Sequence, residues 1–230
     1  MKPPQLITNR RQMLQLAGGA MASGSLMPQL LHADQVQTPS ATEGPFYPIP
    51  AIEKQRYCDH DLTRLSPESP QSLGDIIALK GTVKNLQGEP ISGAVVEIWQ
   101  TNAHGKYSHP RDRRNAPMDP NFQYWGRAIA DEEGKYEFLT IRPGKYPGRT
   151  LHIHTKIFAP SGRTLTTQIY FEDEPSLNQK DGIYRRLSRA EKENVTLDFA
   201  KTSESPDIPL GHFAVILDSP HKKGVTPTME

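Results

Sequence analysis

Hydrophobic and polar positions alternate in short runs through the last two thirds of the chain. The runs are "IIALKGTV" (76–83), "AVVEIWQ" (94–100), "KYEFLTI" (135–141), "LHIHTKIF" (151–158), "TTQIYF" (166–171) and "GHFAVIL" (211–217). Each is rich in β-branched or aromatic residues and bounded by turn formers, the signature of a strand. "NLQGEPISG" (Asn85 to Gly93) and "DEEGK" (Asp131 to Lys135) carry hairpin chemistry. Only "SRAEKENVTLDF" reads as helical, with Ser188 as N-cap and Glu191 three residues later. No internal repeat is visible. The pattern predicts an all-β fold, a β-sandwich core with long loops.

Two stretches lack this alternation. Thr101 to Gly126 has little strand character but holds Tyr107, Phe122, Tyr124, Trp125 and two histidines. A connection of that length is usually functional or disordered, and its aromatic content predicts order, hence a site-forming loop. Residues 34–75 are polar, and "TPSATEGPFYPIP" has four prolines in thirteen residues. This predicts an extended Pro-rich N-terminal arm packed on a sandwich domain spanning 76–230.

Composition sharpens the picture in a few places. The 21 prolines and 17 glycines in 230 residues fit many turns. A net charge of +1 without a basic block gives no reason to propose nucleic acid. No apolar run reaches the roughly 18 residues of a membrane span. The single cysteine, Cys58, excludes an internal disulfide and a cysteine-based zinc site, and is read as a small buried hydrophobe. Residues 8–33, "TNRRQMLQLAGGAMASGSLMPQLLHA", place Arg10-Arg11 before a Gly/Ala-rich apolar stretch ending at Ala33. Residues 1–33 therefore look like a twin-arginine export signal, which predicts a periplasmic or extracellular protein. That route moves folded proteins, many of which carry a cofactor.

The candidate chemistry lies in "GKYPGRTLHIH" (144–154). On a strand, residues two apart share a face, so His152 and His154 present two imidazoles together. Such a pair is a metal site or a pair of surface or hydrogen-bonded core residues. Tyr146, six residues earlier, is by itself either a packed ring or a further ligand.

The blocks "GTVKNLQGEPISGAVVEIWQTNAHGKYSHPRD" and "DPNFQYWGRAIADEEGKYEFLTIRPGKYPGRTLHIHTKI" resemble the intradiol ring-cleavage dioxygenases. That family includes protocatechuate 3,4-dioxygenases and catechol 1,2-dioxygenases, and the likeness runs from "TEGPFYP" to "TTQIYF". The resemblance implies one non-haem Fe(III) per chain, held by Tyr107, Tyr146, His152 and His154. It implies O₂-dependent cleavage of a small aromatic diol to a cis,cis-muconate-type acid. Tyr146 would be the releasable ligand and a proton acceptor, Arg149 would stabilise negative charge on the ring, and Gln168 would support the site. Phe46 and Tyr47 would line the substrate cavity. Tyrosinate donation suits Fe(III), unlike the two-histidine-one-carboxylate set of Fe(II) oxygenases. The short connection "PGRTL", with Gly148 and Thr150, departs from the family and predicts a more open site. A homo-oligomer is compatible with the sequence but not required for the ligand set. The alternative is a resemblance of "GTVKNLQGEPISGAVVEI" and "DEEGKYEFLTIRPGKY" to transthyretin-like and carboxypeptidase-regulatory modules, which are not enzymes.

Overall fold

A computed structural model describes residues 36–49 and 59–219. All of them belong to one compact unit that spans His32–Glu230. The export-signal expectation for 1–33 and the reading of Cys58 lie outside the described residues.

Among the described residues, eight strands form two sheets. β1 (Ile76–Asn85), β4 (Lys135–Ile141) and β8 (Leu210–Leu217) make one, in the order β4-β1-β8. β2 (Val95–Trp99), β3 (Trp125–Ile129), β5 (His152–Phe158), β6 (Thr164–Phe171) and β7 (Thr196–Leu197) make the other, in the order β3-β2-β5-β6-β7. The expected sandwich is observed. Inward positions of both sheets share one core. Leu79, Val83, Phe138, Phe213 and Val215 come from the smaller sheet, and Val96, Ile98, Ile153, Ile157 and Ile169 from the larger. Gly81 also points inward. A Cβ there would lie 2.5 Å from the Tyr136 hydroxyl, so glycine is what lets that ring into the core.

Two expectations are corrected. The turns over 85–93 and 131–135 form, with Asn85 N–H donating to the Glu89 carbonyl and Asp131 N–H to that of Lys135, both at 2.9 Å. They do not join paired strands. β1 and β2 lie in opposite sheets, as do β3 and β4, so both turns carry the chain across the sandwich. The turn residues set a local reversal, and the next apolar face decides which sheet receives the strand. The loop read as Thr101 to Gly126 ends two residues earlier than expected, because Trp125 already pairs with Trp99 in β2. β3 itself was not expected, since "WGRAI" has a weak alternation.

The helical expectation holds only for its first part, because Thr196–Leu197 leave the helix to pair with β6 as β7. α2 (Arg189–Val195) follows α1 (Pro175–Asn178) and carries the Ser188/Glu191 capping box. Among the described residues no helix is long and apolar enough to cross a membrane. The N-terminal arm lies along the sandwich. Thr38 N–H donates to the Ile216 carbonyl in β8 at 3.0 Å, and Ala41 N–H to that of Thr166 in β6 at 2.8 Å. A further part of the arm inserts Leu62 into the core, with Leu62 N–H donating to Leu139 at 2.8 Å.

Candidate metal centre

Around Trp99, His152 and His154 the larger sheet is buried on both faces. On β5, Ile153, Thr155 and Ile157 point into the sandwich, so His152, His154 and Lys156 point the other way. Pairing register then sets their neighbours. Trp125, Trp99, His154 and Gln168 stand in one cross-strand row, and His152 is opposite Tyr170. The loop after β2 and the arm cover this outer face, which is why its residues are buried although they lie outside the core. His152 is 2% exposed and His154 3%. The arm passes directly over the second, since a Cβ at Gly44 would lie 3.5 Å from His154 Cε1.

Tyr107 reaches this face from the loop, and Tyr146 from the segment before β5. Their rings meet edge-on at 5.7 Å, and the Tyr107 ring is 6.2 Å from that of His154. Close backbone approach joins the two segments. A Cβ on Gly144 would lie 2.3 Å from Gly105 N and 2.4 Å from Ala103 O. Gly144 N–H donates to Asn102 O at 2.9 Å, and the Thr101 hydroxyl donates to Gly144 O at 2.7 Å. Asp112 accepts the Tyr107 N–H at 2.8 Å and holds Arg114, whose guanidinium lies over the Tyr146 ring at 4.6 Å.

The imidazoles converge. Nδ1–H of His152 donates to the Thr150 carbonyl at 2.7 Å, which leaves its Nε2 a lone pair. That Nε2 is 3.2 Å from Nε2 of His154 and 3.4 Å from the Tyr146 hydroxyl. Trp99 stacks flat on His154, with centroids 4.7 Å apart and planes at 9°. Burial first, then the Arg149 charge, lowers the His152 pKa to about 3. Burial, then His152, lowers that of His154 well below the ordinary value. Both rings are therefore neutral and able to bind a cation.

The phenols are held the other way. The Tyr107 hydroxyl is buried without a close hydrogen-bond partner, and only the Tyr146 phenol interacts weakly with it. Burial, with the Tyr146 phenol beside it, pushes its pKa well above the usual value. Burial also raises Tyr146, against the lowering effect of Arg149. Ionising either phenol at neutral pH needs a strong local positive charge. Among the described residues no group of three or more His, Cys, Asp or Glu is placed to hold a metal. A cation bound by these histidines would draw its further side-chain ligands from the phenols. The orphaned Tyr107 hydroxyl, the converging Nε2 atoms and the hard phenol donors fit a trivalent iron.

Arg149 faces the same centre, 3.4 Å from His152 Nε2. It donates to Gln168 Oε1 at 2.6 Å and to Asp181 Oδ2 at 2.7 Å. The Gln168 amide donates to Thr42 O at 3.1 Å, tying the arm to the site. Phe46 stacks on Tyr107 at 4.8 Å. Tyr47 sits one step away. It lies edge-on to Trp99 at 4.9 Å, and its hydroxyl donates to Glu97 at 2.7 Å. It lines a cavity of about 250 Å³ with Glu97, Trp125, Arg127 and Phe158, and neither histidine lines that cavity. A larger cavity, of about 800 Å³, lies over the smaller sheet and is lined by none of the candidate ligands.

The structure thus brings Tyr107, Tyr146, Arg149, His152, His154, Gln168 and Phe46 together, and sets Tyr47 beside them. Gly148 has φ +85° and open space around it, in line with an open rim, whereas Thr150 is buried and donates its hydroxyl to Asn178 at 2.7 Å. Sequence reasoning missed Trp99, Arg114 and Asp181. Trp99 could have been found from its place two residues before the long loop, but its stacking partner depends on register. "KDG" at Asp181 reads only as a turn.

Comparisons with known proteins bear on the family and the fold. A family profile described as dioxygenase (Dioxygenase_C) matches residues 43–212. The chain is 36% identical over 181 residues to the protocatechuate 3,4-dioxygenase beta chain of Burkholderia cepacia, covering 75% of this chain and 77% of that one. It is 31% identical over 158 residues to catechol 1,2-dioxygenase of Candida albicans, covering 61% of this chain and 49% of that one. The chain thus spans about half the length of that relative. Among solved structures, the dioxygenase domain of a carbohydrate-binding fusion protein from Streptomyces sp. SirexAA-E superposes with a TM-score of 0.60 at 26% identity, covering 80% of this chain and all of that one. An intradiol ring-cleavage dioxygenase from Tetranychus urticae shares the fold, with a TM-score of 0.63 at 22% identity over 82% of this chain and 98% of that one.

Proposed function

The chain belongs to the intradiol ring-cleavage dioxygenase family, and on that premise we propose that it cleaves a catechol-type ring between its two hydroxylated carbons with O₂. The product is a cis,cis-muconate-type diacid. One non-haem Fe(III) is held by Tyr107, Tyr146, His152 and His154. The observation that carries this reading is the convergence of two phenols and two neutral imidazoles on one buried sheet face, with the Tyr107 hydroxyl lacking a close hydrogen-bond partner.

When bound, the iron supplies the positive charge that ionises phenol ligands and a chelating diol, and makes the ring reactive toward O₂. The chain's own residues do the rest. His152 is fixed in one tautomer by Thr150, so its Nε2 is always a donor to the metal. Tyr146 is the less buried phenol of the two, and its oxygen accepts a proton from a substrate hydroxyl as the diol binds. Arg149 presents a fixed positive charge where negative charge builds on the ring. Phe46, stacked on Tyr107, offers an apolar wall to an aromatic substrate, and Trp99 keeps water from the back of His154.

Purified protein loaded with iron should show a broad visible charge-transfer band. A panel of catechol, protocatechuate and hydroxyquinol, followed by O₂ uptake and ultraviolet detection of a muconate-type acid, tests the reaction and ranks the substrates. A protein that stays colourless after loading favours the non-enzymatic sandwich module instead. A yellow extradiol semialdehyde overturns the ring-cleavage mode. The Arg10-Arg11 stretch supports export to the periplasm or beyond, tested by fractionating cells that carry R10K/R11K.

A further inference from the structure

Asp181 lies on the connection between α1 and α2 and is 1% exposed. Both of its oxygens are fully used. Oδ2 accepts from Arg149 Nε at 2.7 Å and from Thr150 N–H at 3.1 Å. Oδ1 accepts from Ile183 N–H at 2.8 Å and Tyr184 N–H at 3.1 Å. Three residues earlier, Asn178 accepts the Thr150 hydroxyl at 2.7 Å and donates to the Phe171 carbonyl at 2.8 Å. Thr150 is therefore pinned through its N–H and its hydroxyl, and its carbonyl is the group that fixes the His152 tautomer at 2.7 Å.

We infer that Asp181 is a positioning residue for the ring-cleavage reaction. It sets the guanidinium of Arg149 against Gln168 and the metal face, while the Thr150 carbonyl, with the Thr150 hydroxyl held by Asn178, orients His152. The inference rests on the intradiol reading above. Its physical basis is that Arg149 carries a long, flexible side chain whose Nη atoms face the site. Without an anchor at Nε, that fork would sample several rotamers and lose its aim. A buried carboxylate with four N–H donors is a rigid anchor, and it balances the Arg149 charge from the side away from the substrate.

Asp181→Asn tests this. An amide has one acceptor oxygen and one donor nitrogen, so either orientation turns N–H groups toward N–H groups. The expected result is a fall in kcat of roughly tenfold to a hundredfold, with KM, iron content and the visible band little changed. On an Arg149→Gln background the same substitution should cost little more, because Asp181 acts through Arg149. Losses that multiply in the double variant, or that follow loss of iron, overturn the inference. Crystal structures of wild-type and D181N holoprotein give a readout independent of turnover. The guanidinium should leave Gln168 in the variant, and an unmoved guanidinium overturns the inference. If the wild-type protein is colourless and turns over no catechol, the functional reading fails, and the crystal structures alone decide the placement of Arg149. If D181N does not fold, Asp181→Glu carries the test. It keeps the charge but shifts the anchor by one methylene, so kcat should fall while KM and colour hold, and an unchanged kcat overturns the role.

Discussion

Nε2 of His152 and Nε2 of His154 stand 3.2 Å apart, on imidazoles that are both buried and both neutral. The Thr150 carbonyl claims the Nδ1 proton of His152, so only His154 can supply a proton between them. A shared cation replaces that contact with two bonds. Removing iron with a reductant and chelator should therefore destabilise the protein by about 4 kcal/mol if iron had been present at a thousandfold above its Kd. For a chain of this size that is on the order of 10 °C in Tm. His152→Ala should lose the chelator-dependent shift in calorimetry. An identical Tm with and without chelator in the wild-type protein would rule out the metal centre.

Tyr107→Phe should act with opposite signs in the two forms of the protein. The Tyr107 hydroxyl is buried without a close partner, only weakly coupled to the Tyr146 phenol, so deleting it removes more desolvation cost than hydrogen bonding. Urea unfolding of iron-free protein should show a gain of about 1 kcal/mol. The iron-loaded variant should lose metal affinity and part of its visible band. Tyr146→Phe, whose hydroxyl has a partner at 3.4 Å, should leave iron-free stability nearly unchanged while altering the band. A destabilised iron-free Tyr107→Phe would mean that the hydroxyl has a partner in solution.

Gly144 and Gly148 lie on either side of Tyr146 and should respond differently to alanine. At Gly144 the new methyl meets backbone atoms of Ala103 and Gly105 within 2.6 Å, which forces the two tyrosine-bearing segments apart. Gly144→Ala should cost more than about 2 kcal/mol and lower iron content. Gly148 has a positive φ but open space, so Gly148→Ala should cost only about 1 kcal/mol and keep its colour. Thermal melts with iron analysis on both variants check the contrast.

Asp112 supplies an acid-sensitive element. Burial opposes its ionisation, but the Arg114 side chain and the N–H groups of Tyr107 and Arg114 outweigh burial and hold its pKa at about 2. An unfolded Asp titrates near 3.9. The folded value is the lower one, so this stabilisation is fully present above about pH 4 and is lost as pH falls through about 2. Asp112→Asn should flatten the loss of stability across that window. Because the same carboxylate positions Tyr107 and Arg114, the variant should also weaken iron binding at neutral pH. Denaturant midpoints at several acidic pH values give the slope, and an unchanged slope refutes the assignment.

Much of the fold was legible in the chain. The alternating runs located β1, β2, β4, β5, β6 and β8, and Ser188 with Glu191 located α2. The run at β3 was too weakly alternating to read and β7 fell inside the stretch read as helical, since both depend on pairing with neighbours. The turn residues at 85–93 and 131–135 specified reversals but not that each crosses between sheets. A turn's dihedral demands are local, whereas the destination of the next strand depends on which apolar face is free.

The sequence by itself determined the strand composition of the core and the shared face of His152 and His154. Both follow from a side-chain period of two, which holds whatever the strand pairs with. Resemblance added the tyrosines. Only the tertiary structure decided that Trp99 stacks on His154, that Gly44 passes over it, that Tyr47 is spent on Glu97, and that Asp181 anchors Arg149. Those relationships join residues far apart in the chain. They are set by strand register and by which loops cover the outer face of the larger sheet, and local pattern carries no information about either.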